Sequence, residues 1–100
     1  MKQFLISYRL QDGMEDQRRA EIGAFIAAID ADPALRGRLA YRCLKVSGRP
    51  EYYHIATAAD DATVKALQSR EFFTRYTGQT DRLADGEVTV SPLELIAETS

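Results

Sequence analysis

His54 is the only histidine in the chain, and its side chain is the one best equipped for proton chemistry near neutral pH. It lies in the stretch Glu51–Gly78, EYYHIATAADDATVKALQSREFFTRYTG, with three of the five tyrosines and two of the four phenylalanines. An imidazole on a strand has two readings: a general base that removes a phenolic proton, or a core residue satisfied by hydrogen bonds. Arg18 interrupts an otherwise apolar helical stripe. A guanidinium there either binds a carboxylate or enolate in a pocket or runs its stem along the core to the rim. Arg9 and Arg42, on strands, either bind such an anion inside a barrel or sit at sheet edges or in interface ion pairs. Phe25 and Phe72 are core residues by default and the apolar walls of a cleft if one exists. Cys43 reads as a small buried hydrophobe.

The elements that must position these groups follow from hydrophobic period and turn chemistry. Gln3–Leu10 alternates Phe4, Ile6, Tyr8 and Leu10 against Leu5, Ser7 and Arg9, which predicts a strand. Asp12 with Glu15 three residues later predicts a capping box, and Met14–Asp30 a helix with Met14, Arg18, Ile22, Phe25 and Ile29 on one stripe. Asp32-Pro33 ends it, and Gly37 leads into a second strand, Leu39–Val46. The turn Ser47-Gly48-Arg49-Pro50 joins this strand to a third, Tyr52–Ala58, with Cys43 opposite His54 if the turn centres on Gly48-Arg49. Asp60 caps the next helix; Ser69 reads as a second N-cap after a kink, and Gly78 as the stop. A polar linker Gln79–Gly86 then leads to a last strand, Glu87–Ile96, which Pro92 confines to a sheet edge.

The order β-α-β-β-α-β predicts an α+β, ferredoxin-like fold in one domain. It has a four-stranded antiparallel sheet with both helices on one face and strands one and three in the middle. Such a sheet should show one plainly polar face. Here both faces carry large apolar residues, Phe4, Ile6 and Tyr8 on one side and Leu5 and Leu44 on the other. A second copy covering the free face reconciles this, so a homodimer is expected.

Composition narrows the function. A net charge of -2, with 13 basic and 15 acidic residues, argues against a nucleic-acid partner. No run approaches a membrane span and no signal segment is recognisable, so the expectation is a cytoplasmic protein without a membrane partner. Cys43 and His54 alone make no Cys/His metal site, and no glycine-rich phosphate loop, paired-carboxylate motif or nucleophile elbow occurs. Neither a metal nor another cofactor is expected.

The element order, the tyrosine-rich third strand entering an acidic helix cap, and the run Leu67-Gln68-Ser69-Arg70-Glu71-Phe72 followed by Tyr76 resemble the antibiotic biosynthesis monooxygenase domains of the dimeric α/β-barrel superfamily. The resemblance implies a small-molecule cleft between helices and sheet, often for quinol-like or polyketide aromatics handled without metal or flavin. It places Tyr8 and Tyr76 at pocket positions, as groups that hydrogen-bond or stack on an aromatic ligand. Haem-degrading relatives carry an Asn, a Trp and an axial His where this chain has Tyr8, Ala66 and Tyr76. Haem degradation is therefore not expected. The resulting expectation is a cofactor-independent monooxygenase acting on a small aromatic, with His54 and Tyr76 catalytic and Tyr8, Arg18, Phe25 and Phe72 binding substrate. The alternative is a non-catalytic binding or sensor domain on the same scaffold. A regulatory amino-acid-binding domain is a weaker third reading, because Gly13 stands alone between strand one and helix one.

Overall fold

The computed structural model describes all residues 1–100. Four strands, β1 (Lys2–Arg9), β2 (Leu39–Lys45), β3 (Glu51–Ala58) and β4 (Thr89–Leu93), form one antiparallel sheet in the order β2-β3-β1-β4. Helices α1 (Glu15–Ala31), α2 (Asp61–Gln68) and α3 (Glu71–Leu83) supply the other elements. This is the ferredoxin-like α+β architecture, with three helices in place of the expected two. The period-two patterns decide which side of each strand is buried. Tyr8, Tyr52, His54, Ala56 and Leu39 face the helices, while Tyr53 and Leu44 face away.

In α1, Arg18, Phe25 and Ile29 are the buried residues, on the stripe that the spacing predicts. Phe25 and Ile29 join Leu35, Leu39, Ala58, Leu67 and Tyr76 in one core cluster. Leu35 is 0% exposed in the short turn after α1. Burying one such side chain contributes about 1.5–3 kcal/mol, and truncating Phe25 to Ala would cost about 3–5 kcal/mol. Asp32 closes α1 and accepts from Arg70 at 2.6 Å (Nε to Oδ2) and 3.3 Å (Nη2 to Oδ1), which ties the end of α1 to the junction of α2 and α3.

Three cap expectations are corrected. Gly13, at φ 81°, turns the chain before α1, so the N-cap is Met14 and Asp12 stands too far upstream to reach the first amides. Ser69 closes α2 instead of opening α3: its hydroxyl donates to the Ala66 carbonyl at 2.7 Å, and extended Arg70 separates the helices. Gly78 does not end α3. The buried stripe Tyr76, Thr80 and Leu83 continues past it, and that packing outweighs a glycine penalty of about 1 kcal/mol. The linker expected from Gln79 is therefore mostly helix, and β4 is correspondingly shorter than Glu87–Ile96.

Asp60 caps α2 as expected, accepting from the Thr63 backbone N–H at 2.8 Å and the Thr63 hydroxyl at 2.7 Å. The β2–β3 hairpin turns at Gly48, φ 74°, and pairs Cys43 with His54. Strand β4 pairs only with β1, leaving Pro92, opposite Phe4, on the sheet edge. The outward face carries Tyr53, Leu44 and Leu93, exposed by 40%, 42% and 40%.

Candidate functional site

The inner face of the sheet brings His54 to the middle of the molecule with no solvent exposure. Strand β3 holds it between β1 and β2, and three tyrosine hydroxyls from three elements converge on its ring. Tyr8 of β1 is 3.0 Å from Nε2; Tyr41 of β2 and Tyr76 of α3 are 2.9 Å and 3.2 Å from Nδ1. Behind Tyr8, Arg18 donates from Nε to the Tyr8 hydroxyl at 2.9 Å, from Nη2 to Thr80 Oγ1 at 2.7 Å, and from Nη1 to Glu21 at 3.1 Å. Thr80 in turn donates to the Tyr76 carbonyl at 2.9 Å. Phe25 and Tyr76 lie face to face, centroids 3.8 Å apart and planes within 1°, with the Arg18 guanidinium 4.6 Å from the centre of the Tyr76 ring. No buried side-chain polar atom lacks a partner. A network so closed holds its rings in one arrangement.

Electrostatics follow from burial around one fixed cation. Burial, and secondarily the Arg18 charge, depress the His54 pKa to about 4, so the imidazole is neutral at pH 7. Burial raises Tyr8 to about 12 despite Arg18, and it raises Tyr41 and Tyr76 further. The Cys43 thiol is pushed up to about 11, again by burial, which fits the inert reading of that residue. For Arg18, burial opposes the charge, yet neighbouring Tyr76 and Tyr8 and the hydrogen bonds to Tyr8 and Glu21 more than compensate.

A cavity of about 330 Å³ opens beside this network, between the inner sheet face, α2, α3 and the β4 edge. Phe4, Ile6, Ala56, Val64, Leu67, Phe73, Val88 and Val90 make it mainly apolar. Tyr41, His54 and Tyr76 provide one polar wall, and Gln68, Thr77, Thr80 and Asp81 complete the polar lining. The volume lies at the small end of ligand pockets, suited to two or three fused rings. No three His, Cys, Asp or Glu side chains cluster as metal ligands.

Of the six residues expected at the site, His54 and Tyr76 line the cavity. Tyr8, Arg18 and Phe25 are brought to the same network but stand behind that wall, and Phe72 flanks Phe25 at 5.9 Å between centroids. From there these four support the residues that do face the cavity. Both ring nitrogens of His54 are engaged, and an imidazole with a pKa of about 4 is a weak proton acceptor. The residue missed is Tyr41. Its signal was the alternation Leu39, Tyr41, Cys43, which sets it on the His54 face once Cys43 pairs with His54.

No protein-family signature and no curated protein matches the sequence. Solved structures do match. One described as an antibiotic biosynthesis monooxygenase superimposes with a TM-score of 0.81 at 15% identity, over 97% of this chain and 100% of the other. Rv0793 from Mycobacterium tuberculosis gives 0.80 at 15% identity over 99% and 98%. PA3566 from Pseudomonas aeruginosa gives 0.75 at 19% identity over 96% and 94%. At such identities the agreement is one of fold: this chain has the fold of the antibiotic biosynthesis monooxygenases.

Proposed function

We propose that this chain, having the fold of the antibiotic biosynthesis monooxygenases, is a cofactor-independent monooxygenase of small quinol-like or polyketide-like aromatics. The observation that carries the reading is the apolar cavity of about 330 Å³ whose single polar wall, Tyr41, His54 and Tyr76, would meet one oxygen of an aromatic ring system. In the proposed reaction a bound phenol or anthrone loses a proton toward the cavity mouth, where Asp81 and solvent stand. The electron-rich anion then reduces dioxygen directly. In an anthrone a ring CH2 becomes C=O, one oxygen atom is retained, the other leaves as water with the two hydrogens, and that carbon supplies all four electrons. In a phenol the para C–H and the C–OH become the two carbonyls of a quinone, those two carbons together supply the four electrons, and the C–H and O–H hydrogens leave in the same water. The apolar walls hold the ring and keep water from the radical pair.

The working unit would be a cytoplasmic homodimer, the second copy covering Tyr53, Leu44 and Leu93 on the outer sheet face. No helix is long and apolar enough to cross a membrane. Light scattering should give twice the chain mass at low micromolar concentration; a monomer there would refute the dimer.

Oxygen uptake with a panel of anthrones and naphthoquinols tests the reaction. One dioxygen consumed per substrate, undiminished after dialysis against chelator, is the expected result. Binding of these compounds without any uptake would overturn catalysis in favour of a metabolite-binding or sensor domain. That second reading draws its support from His54, whose two engaged nitrogens leave the cavity without a free basic nitrogen.

A further inference from the structure

Hydrogen bonding in the His54 network has a direction, and Arg18 sets it. Arg18 has only donors, so the Tyr8 oxygen must accept from its Nε. The single Tyr8 hydroxyl hydrogen then needs an acceptor, and His54 Nε2 is the one in reach. If Nε2 carried the proton instead, the buried Tyr8 O–H would be orphaned, at a cost of about 1–3 kcal/mol. Neutral His54 is therefore protonated on Nδ1, and Nδ1–H donates outward to the Tyr41 or Tyr76 oxygen.

Two phenol hydrogens remain, those of Tyr41 and Tyr76. Both hydroxyls lie at His54 Nδ1, at 2.9 Å and 3.2 Å, so at best one of them donates to the other. The Cys43 thiol beside Tyr76 offers only a weak sulfur acceptor. At least one phenol O–H thus keeps no strong acceptor within the protein, and both rings line the cavity. Behind it every donor points the same way, from Arg18 through Tyr8 and His54 toward the cavity, and bonds so aligned polarise one another.

We propose that Tyr41 and Tyr76 form an acceptor-binding site at which the cavity takes a carbonyl or oxyanion oxygen of its ligand, with His54, Tyr8 and Arg18 as positioning residues. The inference rests on the reading above that the cavity holds a small aromatic, but not on oxygenation. It names the ligand class: aromatic ketones, quinones and enolates or phenolates. A hydrocarbon of equal size lacks the required atom. The same arrangement would stabilise the anion whose oxidation is proposed above.

Two measurements test it. Nitrogen-15 NMR on the untagged chain reports one histidine, so its tautomer is read without assignment. The expected spectrum at pH 7 is that of a neutral ring protonated on Nδ1, and a ring protonated on Nε2 would overturn the proposal. Binding of 1-tetralone is then compared with that of tetralin, which has the same rings without the carbonyl. Tetralone should bind at least ten-fold tighter, with its carbonyl stretch moved to lower frequency. Tyr41→Phe with Tyr76→Phe should abolish both the preference and the frequency shift. Because that double variant can lose stability, the wild-type comparison stands alone: equal affinity, or no binding of the ketone, refutes the site. Tight tetralone binding together with no oxygen uptake on the anthrones and naphthoquinols would sink only the monooxygenase reading.

Discussion

The two faces of the sheet share the same strands and differ in almost everything else. On the inner face, each buried polar side chain has at least one partner: His54 three tyrosines, Arg18 Tyr8, Thr80 and Glu21. On the outer face, Tyr53, Leu44 and Leu93 stand about two-fifths exposed. One face is a preorganised polar site set into an apolar core, and the other is an apolar surface of the kind that marks contact with another molecule. Stability should reside in the inner network, and the proposed dimer would use the outer face, so substitutions on the two sides should separate cleanly.

The largest effect should come from Arg18→Met. It keeps much of the stem but leaves Tyr8, Thr80 and Glu21 without their donor, and removing one partner of a buried ion pair costs about 3–5 kcal/mol. Urea unfolding checks it, and a loss below about 1 kcal/mol would mean the network is not structural.

Acidification should act next. The folded-state pKa of His54 is about 4 against an ordinary 6.5, so between those values the unfolded chain binds a proton that the folded chain refuses. Stability is full above about pH 6.5 and should fall by about 3 kcal/mol as pH drops toward 4. Asp32, Glu51 and Asp60 are lowered from carboxylate values by their hydrogen bonds, so their contributions are lost only at lower pH. The window above about pH 4.5 therefore belongs to His54. Chemical denaturation across pH 4.5–7.5 measures it, and a flat profile would contradict the buried, neutral ring.

Tyr8→Phe should cost about 1–3 kcal/mol, because it strips His54 Nε2 and Arg18 Nε of their shared partner while preserving the stack on Tyr52, whose ring lies 5.3 Å away. The smallest change in folding is expected outside. Leu44→Asp with Tyr53→Asp should shift the stability of the folded monomer by no more than about 0.5 kcal/mol for each site. The same pair should halve the mass seen by light scattering. If it unfolded the chain instead, the outer face would be part of the core.

Local patterns carried far in this chain. Period-two alternation gave the first three strands, the turn at Gly48 gave the register that sets Cys43 opposite His54, and Pro92 marked the edge strand. They failed where packing overrides propensity. Gly78 sits inside α3 because Thr80 and Leu83 still find a core to bury in, and Ser69 caps the helix before it because Arg70 runs extended. The site was legible as a list of parts: His54, Tyr76, Tyr8 and Arg18 do gather. Their division into wall and support was not, since Tyr8 and Arg18 lie behind the cavity and Tyr41 lines it.

What the sequence determined by itself, then, is the periodic part of local structure: strand faces, the hairpin register, the apolar stripe of α1 and its one intruding arginine. Only the tertiary structure decided that His54 is a neutral, fully engaged ring. Its partners lie 46, 13 and 22 residues away along the chain, at Tyr8, Tyr41 and Tyr76. Hydrogen bonds of 3 Å between such distant groups depend on how β1, β2 and α3 dock on β3, and no spacing along one element encodes that distance.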